Sequence, residues 1–223
     1  MPGSSLWLIP PPSHPLTPIL TALITQTLPP RLDPSAPPFA PHITLTSNIP
    51  PSLYATSGPQ AWLDALPFPP HGGRRDGKQD EGVTAGVGVS VRFDRVCTED
   101  YVFRRCYIKI CDGSSAGGLR ELAQVARREG VLGGDEQKAR EWVREEYRPH
   151  LSLVYSDEKV DEGKIAKVEA CVRDAGVKLG AEEGEEREEG DRGQMGGWEG
   201  GVVWLVPTDR GIGEWKPIAT RVL

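Results

Sequence analysis

"PHITLTSNI", residues 41–49, and "PHLSLVYSD", residues 149–157, carry one device twice: a proline, a histidine, and a hydroxyl two places on. Both runs are rich in β-branched and leucine residues in alternation, which predicts strands. In a strand, alternate side chains share a face, about 6.6 Å apart along the chain. His42 and Thr44 then project together, while Ile43 and Leu45 turn the other way, toward a core. His150 and Ser152 repeat the arrangement, backed by Leu151 and Leu153. With 21 Pro, 4 His, 23 Ser plus Thr and 19 Leu among 223 residues, the pattern Pro-His-x-[Ser/Thr]-Leu is expected by chance about 0.003 times. Two such strands side by side would set two imidazoles and two hydroxyls around one cleft.

Outward from these strands the chain alternates. "SLWLIP", residues 5–10, reads as a short strand ended by prolines, which cannot supply the ladder N–H. Residues 14–28 place Leu16, Ile19, Leu20, Leu23, Ile24 and Leu28 at helical spacing, and Pro29 with Pro30 stops that helix. Strands follow over 82–97 and 103–111, helices over 117–130 and 135–147, the second histidine strand, and a helix over 157–176. Residues 200–209 and 215–223 supply closing strands. Composition marks 67–82 and 181–196 as flexible loops, the second built around an acidic block, residues 181–193, with five net negative charges. The rhythm predicts an α+β protein of two similar lobes, a single domain over 1–223.

Charge and cysteine usage narrow the function. The net charge is −6, and outside the acidic block the chain is close to neutral. That argues against a long nucleic-acid groove, which draws on many Lys and Arg contacts. No apolar run approaches the roughly 20 residues that cross a bilayer, and residues 1–12 lack the charged start of a secretory signal. A soluble, intracellular, monomeric protein is expected. Cys97, Cys106, Cys111 and Cys171 show no C-x-x-C spacing, so reduced thiols are the default.

The histidine–hydroxyl pairs suit the opening of a strained cyclic phosphodiester by water. That reaction needs a base for the water proton, an acid for the departing oxygen, and donors for the non-bridging oxygens. Histidine titrates near neutrality and fills either proton role. Thr44 and Ser152 would donate to the phosphoryl oxygens, and no metal or other cofactor is called for. A zinc site would want three ligands, and neither histidine motif carries an H-E-x-x-H or a paired-cysteine spacing. "DGSSAGG", residues 112–118, lacks the Walker A lysine. His14, at a helix start, and His71, in a loop, are read as outside the site. Arg104, Arg105, Lys109 and Arg148 could attract phosphates but read first as surface.

"PHITLTSNI" and "PHLSLVYSD" resemble the paired H-x-T/S signatures of the 2H phosphoesterases. Together with "SLWLIP" and "GGVVWLV", they resemble the cyclic nucleotide phosphodiesterases of fungi and plants. The resemblance implies two antiparallel sheets with outer helices around a central cleft. It also implies hydrolysis of 2′,3′-cyclic phosphates to 2′-phosphates, including ADP-ribose 1″,2″-cyclic phosphate from tRNA splicing. Carried onto this chain, His42 and His150 are the acid and base, with His150 activating water and His42 protonating the leaving oxygen. Thr44 and Ser152 hold the phosphate. Tyr155 reaches the cleft if the strand ends or bulges before it. Trp7 stacks on a base or lines the cleft, its alternative being core packing. The other tryptophans are read as packing. The expected partner is a small nucleotide cyclic phosphate, and the expected location the cytoplasm, with peripheral Golgi association as the alternative. Two other readings share the motifs: a phosphodiesterase acting on RNA ends or 2′-5′ linkages, and a non-catalytic module that holds a cyclic phosphate. The second could dispense with one histidine, and both are present.

Overall fold

The computed structural model describes residues 3–69, 88–111, 117–180 and 195–223. Among the described residues eight strands form one antiparallel sheet: β1 (Ser4–Ile9), β2 (Ile43–Ile49), β3 (Ser90–Cys97), β4 (Cys106–Ile110), β5 (His150–Val154), β6 (Gly197–Glu199), β7 (Val202–Pro207) and β8 (Ala219–Val222). Their order across the sheet is β6-β3-β4-β5-β2-β1-β7-β8. The α+β class and antiparallel pairing are as expected. The two halves, expected as separate sheets, are hydrogen bonded along one seam. β2 and β5 meet there through one Cα pair, Ile43 opposite Leu151, whereas the β1–β7 ladder runs through six. A single bridge where a full ladder could form lets the two halves splay on either side of the seam.

Leu6 and Leu8 of β1, Ile43 and Leu45 of β2, and Leu151 and Leu153 of β5 are all fully buried in the main core. Alternation sends Trp7 and Ile9 to the opposite face, where they pack with Val202 and Val206 in a smaller cluster. β1 is thus covered on both sides.

Helices close the core face: α1 (Leu16–Ala22), α2 (Pro29–Leu32), α3 (Pro59–Ala65), α4 (Gly117–Gly130), α5 (Glu136–Glu145) and α6 (Glu162–Asp174). α4 packs on β2 and β3 through Leu119, Leu122, Ala123 and Ala126, a three-and-four stripe, and α5 packs on α4. The helix expected over 14–28 is α1 continued by a wider turn over Leu23–Thr27, in which the Leu28 N–H reaches back to the Leu23 carbonyl at 3.0 Å. Pro29 and Pro30 do not end helical structure; they open the short α2, where a missing N–H costs nothing. α6 begins later than expected because Asp161 caps it, its carboxylate accepting the Lys164 N–H at 2.8 Å. The strand expected over 82–97 is β3 within the described residues. The acidic block, His71 and most of the two expected loops lie outside them.

Candidate active site

The Pro-His dipeptides set the histidines. In each, the imidazole Nδ1 donates to the carbonyl two residues back: His42 to Ala40 and His150 to Arg148, both at 2.7 Å. Proline fixes its own φ and confines the residue before it to extended conformations, so the bend that brings this carbonyl to the ring is built into the sequence. A carbonyl can only accept, so Nδ1 carries the proton in both rings and each Nε2 is left for chemistry. The shared proline had a meaning that sequence reading alone did not extract.

The seam brings the two motifs together. Extending the Ile43–Leu151 register one residue each way sets His42 opposite Ser152 and Thr44 opposite His150. Directly opposite residues lie about 5 Å apart at Cβ and diagonal ones about 7–8 Å, which is the relation between the two histidines. The two histidines thus come from the two strands that flank the seam. His42, Thr44 and His150 all line one cavity of about 220 Å3, together with Trp7, Tyr155 and Arg104.

The two rings sit in different surroundings. His42 is 3% exposed. Trp7 stacks on it at 3.8 Å between centroids, and Phe39 meets it edge-on at 5.9 Å. Burial drives its pKa down to about 4, against the Ala40 bond and with a smaller push from His150. His150 is half-buried, with Tyr107 edge-on at 5.3 Å. Burial lowers its pKa too; Arg104 lowers it further, while the Arg148 carbonyl and Glu99 oppose the shift. Arg104 is ion-paired to Glu99 at 3.0 Å, and Glu99 also accepts the Tyr107 O–H at 2.8 Å. No carboxylate appears among the described residues that line the cavity.

Tyr155 lies one residue beyond the end of β5, so strand alternation no longer governs it. Its ring stacks on Phe39 at 3.9 Å, and its hydroxyl donates to His42 Nε2 at 3.3 Å. Ser152 is placed differently from its partners. It is 4% exposed, and its hydroxyl donates to the Phe103 carbonyl at 2.8 Å, anchoring the turn that carries Phe103 and Arg104. The described cavity lining does not include it. Trp215, read from sequence as packing, lines the cavity instead, 5.6 Å from Trp7 and near-parallel to Phe103 at 6.3 Å. Tyr101, 48% exposed, stands at the rim. Nothing in the local sequence of either distinguishes it from an ordinary aromatic. Arg105 is buried and structural, bonding the Ser156 and Glu99 carbonyls and Asp100, and Lys109 pairs with Asp94 at 3.3 Å. Among the described residues no group of three or more His, Cys, Asp or Glu is placed to hold a metal ion.

A family described as cyclic phosphodiesterase-like protein matches residues 1–223. This chain belongs to that family. The match spans both histidine motifs and the eight strands found among the described residues. A 2′,3′-cyclic-nucleotide 3′-phosphodiesterase of Neurospora crassa is 44% identical over 238 residues, covering 100% of both chains. One of Phaeosphaeria nodorum is 41% identical over 224 residues, again covering 100% of both. The solved structure of E. coli LigT complexed with ATP has 14% identity and a TM-score of 0.49, covering 100% of this chain and 98% of that one. The family and enzyme class expected from the motifs, a cyclic-nucleotide phosphodiesterase, are those of the curated relatives. No helix among the described residues is long and apolar enough to cross a membrane.

Proposed function

We propose that the protein hydrolyses nucleoside 2′,3′-cyclic phosphates to 2′-phosphates with the His42–His150 pair. The observation that carries this reading is that two imidazoles from opposite halves of the chain line one cavity, each tied through Nδ1 to a backbone carbonyl.

Water enters beside His150, the more exposed ring, whose Nε2 takes its proton as the oxygen attacks phosphorus. The bond from phosphorus to the 3′ oxygen breaks, and His42 Nε2–H delivers a proton to that oxygen. His42 is neutral in the free protein because burial opposes its charge. A phosphate anion in a cavity whose described lining residues include no carboxylate supplies the negative charge that lets it hold a proton, so the substrate arms its own acid. Arg104 and the Thr44 hydroxyl donate to the non-bridging oxygens. Ser152 joins them by turning its O–H from the Phe103 carbonyl to a phosphoryl oxygen. Trp7, Phe103 and Trp215 give the nucleoside an aromatic surface. ADP-ribose 1″,2″-cyclic phosphate, the substrate that links the reaction to tRNA splicing, presents the same five-membered cyclic diester and belongs to the same proposal.

The test is a product assay with adenosine 2′,3′-cyclic phosphate. The 2′-phosphate should accumulate without the 3′-isomer, and an excess of EDTA should leave the rate unchanged. Replacing the bridging 3′ oxygen by sulfur, which leaves without a proton, should restore most of the rate lost in His42→Ala and none of that lost in His150→Ala. The opposite pattern would exchange the two roles; a 3′-phosphate product would overturn the reaction.

A further inference from the structure

Tyr155 lines the cavity from just beyond the sheet. β5 ends at Val154, and the next N–H to reach back, that of Ser156, meets the Val102 carbonyl only at 3.4 Å. The Tyr155 ring lies between Phe39, stacked at 3.9 Å, and Phe103, edge-on at 5.2 Å, and its hydroxyl donates to His42 Nε2. Something other than ladder bonds holds the chain there.

Two side chains do so, both through Ser156, which is 5% exposed. The Ser156 hydroxyl donates to Asp33 at 2.6 Å, tying it to the segment that leads to Phe39. Its carbonyl accepts from Arg105 Nε at 3.0 Å. Arg105 turns its other donors on the surrounding chain: Nη2 to the Asp157 carbonyl at 3.4 Å, and Nη1 to the Glu99 carbonyl at 3.3 Å and the Asp100 carboxylate at 2.8 Å. The Arg105 carbonyl in turn accepts from the Thr98 hydroxyl at 2.7 Å. One guanidinium thus joins the connection between β3 and β4, which carries Phe103 and Arg104, to the stretch that carries Tyr155. Arg104 faces the cavity, whereas the Arg105 side chain is 6% exposed. A planar fork with five donors meets three carbonyls and a carboxylate at once, which an ammonium on a flexible stem does not. Taking such a cation out of water is costly, and an apolar side chain fills space without that cost. What the fork adds is direction.

We propose that Arg105 is a positioning residue for the hydrolysis, acting through Tyr155 on His42. The inference rests on the roles given to the two histidines above. His42 has Trp7 against its ring face and the Ala40 carbonyl at Nδ1, and the Tyr155 hydroxyl meets its remaining nitrogen. That hydroxyl donates to Nε2 while the ring is neutral, and its oxygen accepts from Nε2–H once the substrate has brought a proton there. Arg105 keeps it within reach in both states. A displacement of about 1 Å at a reacting group costs up to about a hundredfold in rate.

The experiment is a double-substitution cycle on adenosine 2′,3′-cyclic phosphate with Arg105→Lys and Tyr155→Phe. Each single variant should lower kcat by about tenfold with KM within about threefold, and the double variant should fall within about twofold of Tyr155→Phe alone. A normal kcat in Arg105→Lys, or losses that multiply in the double variant, would overturn the proposal; multiplied losses are what a role in stability alone produces. If Arg105→Lys does not fold, Thr98→Val frees the Arg105 carbonyl without removing the cation. It should cost about threefold in kcat and add nothing once Tyr155→Phe is present, whereas no loss, or a loss that persists there, counts against the proposal. The 15N resonance of His42 Nε2 reads the same link without turnover. Arg105→Lys, or Thr98→Val in its place, should shift it in the direction that Tyr155→Phe does, and an unmoved resonance contradicts the proposal. A wild-type protein that fails to hydrolyse the substrate would instead overturn the reaction, leaving the resonance to judge the positioning.

Discussion

His42 and His150 are the same residue in the same motif, and burial pushes both below the ordinary 6.5, His42 to about 4. The productive free protein holds one proton between them. Its population falls in acid as a second proton binds and falls again toward neutrality as the first leaves, because both values lie below 6.5. A plot of kcat/KM against pH should therefore be a bell centred on the acid side of neutrality, with the profile of kcat displaced upward because the bound phosphate favours imidazolium. Because burial is the largest cause of the His42 shift and Trp7 is its stacked cover, Trp7→Ala should move the low-pH limb from about 4 up toward 6.5. An unmoved limb would mean the Trp7 ring does not set that value. At this scale the sequence was informative about histidines and hydroxyls, since alternation and composition suffice to pick them out. It was silent about Trp215 and Tyr101, whose place depends on where distant segments cross, and about Ser152's bond to a carbonyl 49 positions away.

The elements that position these residues are β2 and β5, and their brief seam is what opens the cavity. Strand and helix types were legible wherever apolar periodicity was long, as in α4, α5 and the two motif strands. The three-residue β6 and the seven-residue α3 were not anticipated: β6 has too few residues to show a period, and α3 opens on Pro59 after a glycine at φ +85°. Helix bounds moved where a cap or a proline decided them, at Asp161 and Pro29. β7 begins after Gly201, which sits at φ +134° with the Ile9 carbonyl 2.6 Å from where a Cβ would stand. Gly201→Ala should thus lower unfolding stability by about 1–3 kcal/mol in a denaturant titration, loosening the β1–β7 ladder that carries Trp7. A stability unchanged within about 0.5 kcal/mol would show that this close approach relaxes freely.

Across the whole molecule the buried histidine links folding to pH. Its folded pKa, about 4, lies below the unfolded 6.5, so the unfolded chain binds more protons between those values. Stability is complete above 6.5 and is lost as pH falls toward 4, by about 3 kcal/mol from this residue alone. Replacing His42 with Asn should flatten that acid limb in unfolding experiments; an equally steep limb in the variant would assign the loss to other groups. The α+β class was legible in the alternation of apolar periods, but the joining of the two motif strands within one sheet was not, because a single bridging pair leaves no trace in periodicity. The central claim is that residues 108 positions apart act as one unit in one cavity. A double-substitution cycle on the hydrolysis of adenosine 2′,3′-cyclic phosphate tests it most directly. His42→Ala and His150→Ala should each lower kcat by about a hundredfold or more, and the double variant should lose little beyond either single one. Losses that multiply in the double variant, or a single variant that keeps near-normal turnover, would contradict it.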